Sequence, residues 1–204
     1  MATQDDTGRG ARRLGLPRLE NSTCFDTYER IAPLYDVMES LWEVTWKKRL
    51  RVMLFDGLHG RILDAGIGTG LNIPFYPEDA EVIGGDLSPK MLGYAAERAR
   101  KHGRDISLMN MDLRDIELPD DHVDSVVSAF VFCNLSDQDR LAALRELGRV
   151  CKPDGAIRIL DYTMSRRPVM RLVMQCCEPW FRWMFNATYH VRFEEFAGLA
   201  GVEL

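Results

Sequence analysis

No hydrophobic run in this 204-residue sequence approaches the roughly 20 apolar residues that a bilayer-spanning helix needs, so we expect no transmembrane span. Its five cysteines include no Cys-x-x-Cys pair, which argues against a zinc site or a disulfide framework and favours a reducing cytoplasm. The sequence also has no excess of basic residues, as its formal net charge of -5 shows. We therefore expect no metal and no nucleic-acid partner.

The length suits one ordinary domain with a full core. Residues 1–22 are polar and rich in Gly and Arg, without the apolar centre of a secretory signal, so we expect a disordered tail there. The single predicted domain covers 23–204, with a helical lid at 23–58, a ligand-binding core at 59–165 and an amphipathic helical insert at 166–192. We expect a monomer rather than an oligomer.

Short apolar runs alternate with helical patterns from residue 62 onward, which is typical of βαβ units on a parallel sheet. One predicted helix begins with Ser88 as its N-cap and ends at Gly103, and a second ends at Pro153 and Gly155. The predicted strands cover 61–66, 81–87, 106–112, 123–132 and 156–162.

Glycines at 66, 68 and 70 follow the first predicted strand directly, in the turn DAGIGTGLN. Closely spaced glycines at a strand-to-helix turn let the backbone approach a ligand and direct its N–H groups toward it. A dinucleotide fingerprint would also need glycine at position 71, which is Leu71 here, so a pyrophosphate cradle is disfavoured.

Three acids, Asp64, Asp86 and Asp112, lie at the carboxyl ends of three consecutive predicted strands, where open α/β sheets bind ligands. Asp86 follows the glycine turn by about 20 residues, the place where an acid accepts ribose hydroxyls. Asp112 is placed to accept the exocyclic amine of an adenine. Each acid alone is equally compatible with a helix cap or a solvated turn, but the series indicates a nucleoside site.

The stretches ILDAGIGTGLN, VIGGDLSPKML, LMNMDLRDIELPDDHVDSVVS and ELGRVCKPDGAIRIL resemble, in order and spacing, the motifs of class I S-adenosylmethionine-dependent methyltransferases. The resemblance covers about residues 28–165. It implies a Rossmann-like sheet with helices on both faces, S-adenosylmethionine as cofactor with S-adenosylhomocysteine as product, and no metal. It also implies two further C-terminal strands, whereas the sequence stops at GLAGVEL, so we expect either shortened C-terminal strands or a truncated form of the chain.

Cofactor-binding roles follow from the same resemblance. The glycines would pass under the methionine part, and the three acids in chain order would orient its amino group, hold the ribose and read the adenine edge. Apolar side chains would pack on the adenine and line the sulfonium end. The predicted set is Tyr28, Asp64, Gly66, Gly68, Gly70, Asn72, Asp86, Leu87, Met91, Asp112, Leu113 and Ala129.

The segments YERIAPLYDVMESLW, FVFCNLSD and CCEPWFRWMFNATYH look most like those of the small bacterial phosphatidylethanolamine N-methyltransferases. The resemblance therefore predicts methyl transfer to the amine of phosphatidylethanolamine or its methylated derivatives. Two alternatives stay open. One is S- or C-methylation of an alkyl thiol or a quinol, and the other is a non-catalytic peripheral membrane protein that binds the cofactor.

A methylated amine must lose a proton, so a nearby Tyr or His is expected to act as base or relay. The predicted catalytic candidates are Tyr35, Tyr189 and His190. By resemblance Tyr35 lies in the lid, while His190 is also compatible with an ordinary surface or capping role. Asn134 is placed either to face the acceptor or to make a hydrogen bond within its loop.

Two zones pair aromatic with basic residues, namely LWEVTWKKRLR and the insert, in which Arg171, Gln175, Glu178 and Arg182 lie opposite an apolar stripe. Such stripes also occur in core helices, and basic runs at solvated helix ends. We favour an anionic membrane surface as partner and a peripheral location at the cytoplasmic face of the membrane. Pro179 predicts a kink or a new helix. The predicted membrane contacts are Trp42, Trp46, Lys47, Lys48, Arg49, Trp180 and Arg182.

Overall fold

The computed structural model describes residues 47–185 together with 188–189, and within them five strands form one parallel sheet in the order β3-β2-β1-β4-β5. The strands are β1 (Arg61–Ala65), β2 (Glu81–Asp86), β3 (Ile106–Asn110), β4 (Val123–Ala129) and β5 (Cys151–Leu160). The helices of this part are α1 (Lys48–Phe55), α2 (Pro89–Lys101), α3 (Asp137–Val150) and α4 (Pro168–Phe185). The predicted tail, most of the lid, the C-terminal segment, and Tyr28, Tyr35, Trp42, Trp46 and His190 lie outside the described residues.

The sheet is covered on both faces, because successive side chains of a strand point in opposite directions. Leu63 of β1 is fully buried in an apolar cluster with Leu147 of α3. Its neighbour Ile62 is fully buried in a second cluster with Leu54 of α1 and Ala95 of α2. This arrangement confirms the predicted Rossmann-like fold.

The helices begin where the sequence predicts, but one of them ends earlier than predicted. Ser88 caps α2 by accepting a hydrogen bond from the Met91 amide at 3.1 Å, as predicted. The prediction that the next helix reaches Pro153 and Gly155 was wrong, because α3 ends at Val150 and Cys151 is already extended. Cys151 pairs with Val123 of β4, so sheet pairing ends the helix there.

The turn after β4 is set by an unusual backbone conformation. Phe130 has a φ of 61°, which ends β4 at Ala129 rather than at the predicted residue 132. The Phe130 amide still donates to the Leu160 carbonyl at 2.7 Å. The short 3₁₀ helix Phe132–Asn134 follows and leads to Ser136, the N-cap of α3.

The predicted insert contains a helix, α4, that continues past Pro179 rather than starting anew there. Pro179 has no N–H, so the Gln175 carbonyl loses its helical donor. Gln175 is exposed, and water can satisfy its carbonyl. An uninterrupted helix is therefore compatible with the proline.

Candidate functional site

A cavity lies at the carboxyl ends of the central strands, the edge at which the three acids were expected. Its lining comes from the turns that follow β1, β2, β3 and β4. The predicted cofactor residues that line it are Gly66, Gly68, Asn72, Asp86, Leu87, Met91, Asp112, Leu113 and Ala129. The fold thus brings together residues from four separate segments, and their individual contacts with a cofactor remain predictions.

Gly66 and Gly70 shape the turn after β1 for different reasons, although both have a φ of 82°. A Cβ at Gly66 would overlap the Val131 side chain in the cavity wall. A Cβ at Gly70 would overlap the Ile73 side chain and lie 3.2 Å from the Ala95 Cα. Gly66 therefore lets two walls of the cavity approach, whereas Gly70 lets the turn pack on α2.

Asp64 lies behind the cavity wall, where it is fully buried. Its carboxylate accepts hydrogen bonds from Asn72 Nδ2 at 2.9 and 3.1 Å and from the Tyr76 hydroxyl at 2.5 Å. Asn72 in turn accepts a hydrogen bond from Arg51, and both Asn72 and Arg51 line the cavity. In this arrangement Asp64 orients Asn72, and through it Arg51.

Burial governs the ionisation of this pair. Desolvation raises the pKa of Asp64, although hydrogen bonds from Tyr76 and Asn72 and the charge of Arg51 oppose the shift. Desolvation, followed by the charge of Asp64, raises the pKa of Tyr76 well above its ordinary value. Tyr76 therefore stays protonated and donates to Asp64.

Asp86 presents its carboxylate at the cavity, held by two backbone amides. The Gly68 amide donates to Oδ2 at 2.8 Å and the Ser88 amide donates to Oδ1 at 2.9 Å. A carboxylate whose orientation is fixed in this way is suited to accept hydrogen bonds from hydroxyl groups. This geometry fits the predicted ribose contact.

Asp112 also lines the cavity, but its carboxylate is bound by an arginine that the sequence analysis did not single out. Arg114 donates from Nη2 to Asp112 Oδ2 at 2.8 Å and from Nε to Oδ1 at 3.1 Å. A third donor, Nη1, reaches Asp139 in the first turn of α3 at 2.8 Å. Arg114 thereby fixes this part of the cavity wall, where the adenine contact was predicted, against α3.

Beyond Ala129 the cavity is bounded by Phe130, which belongs to a cluster of rings and cations. The Phe130 and Tyr162 ring centroids are 4.9 Å apart. Lys47 Nζ lies 4.6 Å from the Phe130 centroid and 5.5 Å from that of Tyr162. The Arg51 guanidinium lies 5.4 Å from the Phe130 centroid.

The expectation that Lys47 contacts a membrane was wrong, because this side chain is only 2% exposed and packs on aromatic rings. Lys48 and Arg49 are exposed, as are Val52 and Met53 one turn later. The helical repeat explains why Lys47 is buried and its neighbours are exposed. Lys47 and Arg51 are four residues apart and both face Phe130, whereas the residues between them face away.

Tyr189 lies beside the cluster rather than at the cavity wall. Its ring meets that of Tyr162 edge-on, with the centroids 6.0 Å apart. Burial, followed by the charges of Cys177 and Glu178, raises the pKa of Tyr189. A protonated hydroxyl suits proton donation or relay better than the role of a base.

Asn134 carries a buried oxygen that finds no hydrogen-bond partner among the described residues. Its Nδ2 donates to the Phe130 carbonyl at 3.1 Å, which fixes the orientation of the amide because a flip would set two acceptors against each other. The side chain lines the cavity beside Phe130 and Leu135. An N–H or O–H of a ligand would satisfy Oδ1.

The described ranges, 47–185 and 188–189, contain no group of three His, Cys, Asp or Glu side chains able to hold a metal ion. No helix in that part of the chain has the length and apolar character needed to span a bilayer.

Comparisons with known proteins agree with the geometry. The family described as "Methyltransferase domain" matches residues 62–155. A demethylmenaquinone methyltransferase of Thermus thermophilus is 32% identical over 72% of this chain and 69% of its own length. A phosphatidylethanolamine N-methyltransferase of Cereibacter sphaeroides is 34% identical over 50% of this chain and 51% of its own. The chain thus matches about half of the Cereibacter relative's length and just over two thirds of the Thermus relative's.

Among solved structures, one from Thermotoga maritima described as a possible histamine N-methyltransferase has a TM-score of 0.66. It is 19% identical, with 88% of this chain and 82% of that chain covered, and so supports the fold alone. The Thermus relative carries the family assignment, since it is similar over more than two thirds of its length. The chain belongs to the class I S-adenosylmethionine-dependent methyltransferases.

Proposed function

We propose that this methyltransferase acts on an amphiphilic acceptor, and that its first candidate acceptor is a ring carbon of a prenylated hydroquinone. The observation that carries this choice is the pair of cations, Lys47 and Arg51, against the Phe130 wall of the cavity. A demethylmenaquinone methyltransferase among the relatives supports the same choice.

The cofactor side of the site fits S-adenosylmethionine, which supplies an activated methyl group when bound. Asp86 presents its carboxylate at the cavity for the ribose hydroxyls, and Leu87 and Met91 offer apolar contacts to the adenine. Gly66 lets the backbone approach the amino-acid part. Beyond Ala129, the space bounded by Phe130 and Asn134 is then left for the acceptor.

The cations suit an acceptor that reacts as an anion. A hydroquinone hydroxyl that gives its proton to water becomes an oxyanion, and nearby positive charge favours that form. Electron density from the oxyanion lets the adjacent ring carbon form the new bond to the methyl carbon. The pair of the broken carbon–sulfur bond stays on sulfur, and the ring proton then leaves to water.

Phosphatidylethanolamine, the acceptor expected from the sequence, is the second candidate. The buried Asn134 Oδ1 favours it, because an amine offers an N–H there, whereas an ionised hydroxyl offers none. The Cereibacter relative supports it as well. Against it, the faces of Phe130 and Tyr162 that would hold a methylated ammonium are already contacted by Lys47.

One assay tests both candidates. Labelled S-adenosylmethionine is incubated with the protein and with vesicles that contain either chemically reduced demethylmenaquinone or phosphatidylethanolamine, and the extracted lipids are separated by thin-layer chromatography. Label in the hydroquinone supports the first candidate. Label in the phospholipid alone replaces it with the second, and label in neither, with S-adenosylhomocysteine still bound in calorimetry, rejects both.

A further inference from the structure

Helix α4 turns its apolar stripe away from the body of the protein. Positions 169, 172, 173, 176 and 180 recur at helical spacing and share one face. Val169 is 76% exposed, Leu172 62%, Val173 50% and Trp180 56%, and Cys176 is exposed too. Contiguous exposed apolar faces of this kind mark interaction sites on soluble domains.

The opposite side of α4 faces the protein. Met174 and Glu178, one turn apart, are only partly exposed. The Glu178 carboxylate accepts a hydrogen bond from the Thr188 hydroxyl at 3.0 Å and lies 3.7 Å from Arg182. The orientation of the helix is therefore fixed by a polar contact on its inner side, which leaves the apolar stripe outermost.

The charge around this stripe is of one sign. Residues 166–185 contain four arginines and a single acid, Glu178, which faces inward. The arginines are all exposed: Arg166 and Arg167 precede the helix, and Arg171 and Arg182 lie on the side opposite the stripe. The exposed surface of α4 thus combines an apolar strip with positive charge at the helix start and on the polar side.

We propose that α4 docks on an anionic lipid bilayer, with the apolar stripe among the upper acyl chains and the arginines at the phosphates. An apolar face combined with arginines on the opposite, polar face is the composition that interfacial helices use, since long arginine side chains reach toward the headgroups. Each arginine near an anionic surface contributes about 1 kcal/mol.

Charge also argues against a second copy of the chain as the occupant. A twofold contact at this face would join two copies of a segment, residues 166–185, whose single acid Glu178 faces inward, so neither copy would offer an acid of α4 to the exposed Arg166 and Arg167 of the other. The docking surface supplies a purpose for the proposed function, because it brings the cavity to a membrane-dissolved acceptor. Only this biological role of the docking surface rests on the proposed function, because binding of the protein to lipid requires neither the acceptor nor the cofactor.

The test is sedimentation of the full chain with sucrose-loaded vesicles of phosphatidylcholine, with and without phosphatidylglycerol. The double variant Val169→Glu, Leu172→Glu changes two highly exposed positions and is expected to fold, as circular dichroism would verify. We expect it to lower partitioning onto anionic vesicles more than about tenfold. The triple variant Arg166→Gln, Arg167→Gln, Arg171→Gln is expected to lower partitioning onto anionic vesicles about 100-fold and to leave partitioning onto phosphatidylcholine vesicles unchanged.

The matched control is Arg100→Gln, Lys101→Gln, which removes exposed cations at the end of α2 and should leave partitioning within about twofold. Failure of the wild type to bind anionic vesicles overturns the proposal, as does unchanged binding of the α4 variants. A dimer that Leu172→Glu dissociates in analytical ultracentrifugation overturns it in favour of a second copy. Transfer to detergent-dispersed acceptor, measured in parallel, reports on the catalytic proposal separately.

Discussion

The Tyr76 hydroxyl donates a 2.5 Å hydrogen bond to the fully buried carboxylate of Asp64, and the two residues together anchor Asn72 at the cavity wall. Burial makes this contact sensitive to pH. The folded-state pKa of Asp64 lies above its ordinary value of 3.8, so the folded protein holds that proton more tightly than the unfolded chain does. Ionisation of Asp64 therefore costs stability as the pH rises above about 4.

Tyr76→Phe should lower the free energy of unfolding by about 1–3 kcal/mol near pH 8, because it removes a donor from a buried carboxylate. This loss of unfolding free energy should become smaller toward pH 5. The substitution raises the pKa of Asp64 further, so Asp64 becomes protonated and the buried unpaired charge is removed. Urea denaturation at several pH values measures both effects. Tyr94→Phe on α2 is the control, and an equal loss at every pH would contradict the assigned coupling.

The paired substitutions Gly66→Ala and Gly93→Ala distinguish the effect of a side chain in the glycine turn from the ordinary effect of replacing glycine in a helix. Gly66→Ala forces a side chain into a left-handed conformation and against Val131, so it should weaken S-adenosylhomocysteine binding by at least about tenfold. Gly93 lies within α2 with open space around it, and alanine there should stabilise the fold by about 0.5–1 kcal/mol. Calorimetry measures the ligand affinity of Gly66→Ala, and thermal denaturation measures the stability of Gly93→Ala. Unchanged S-adenosylhomocysteine affinity in Gly66→Ala would show that the turn does not contribute to the binding site.

The existence of the strands, the glycine turn and the strand-end acids could all be predicted because each leaves a local signal: alternating segments, clustered glycines and acids in phase with the strands. The position of Lys47 could not be predicted from composition, since the run KKRLR reads as one basic surface. Its burial depends on Phe130, which is distant in sequence. The i, i+4 spacing of Lys47 and Arg51 was the one local sign of a shared inner face.

Two further features depend on tertiary contacts. The sequence reveals the stripes of α4 but not which of them faces the body, and that choice rests on the contact between Glu178 and Thr188. Arg114 follows Asp112 by two residues, but its role depends also on Asp139 at the start of α3. Such contacts between separate elements leave no periodic signal, so the sequence analysis could only weigh alternatives for the α4 stripe and did not single out Arg114.

Arg114→Lys should weaken S-adenosylhomocysteine binding about tenfold, because lysine cannot reproduce the forked contacts with Asp112 and Asp139. Asp112 would then lose its fixed orientation at the adenine side. Arg149→Lys is a matched control, since Arg149 makes similar forked contacts with Glu146 and also binds Asp120. It should lower thermal stability without changing ligand affinity, and an equal effect of both variants on binding would assign Arg114 a purely structural role.

Asn134→Ala should leave S-adenosylhomocysteine affinity within about twofold and lower kcat/KM for an amine acceptor by about tenfold, the value of one hydrogen bond to the unsatisfied Oδ1. For a hydroquinone that reacts as an oxyanion the loss should be smaller, because no donor faces this oxygen. Leu135→Met, a volume-conserving change in the same wall, controls for cavity shape. A tenfold loss of S-adenosylhomocysteine affinity in Asn134→Ala would mean instead that the amide serves the cofactor.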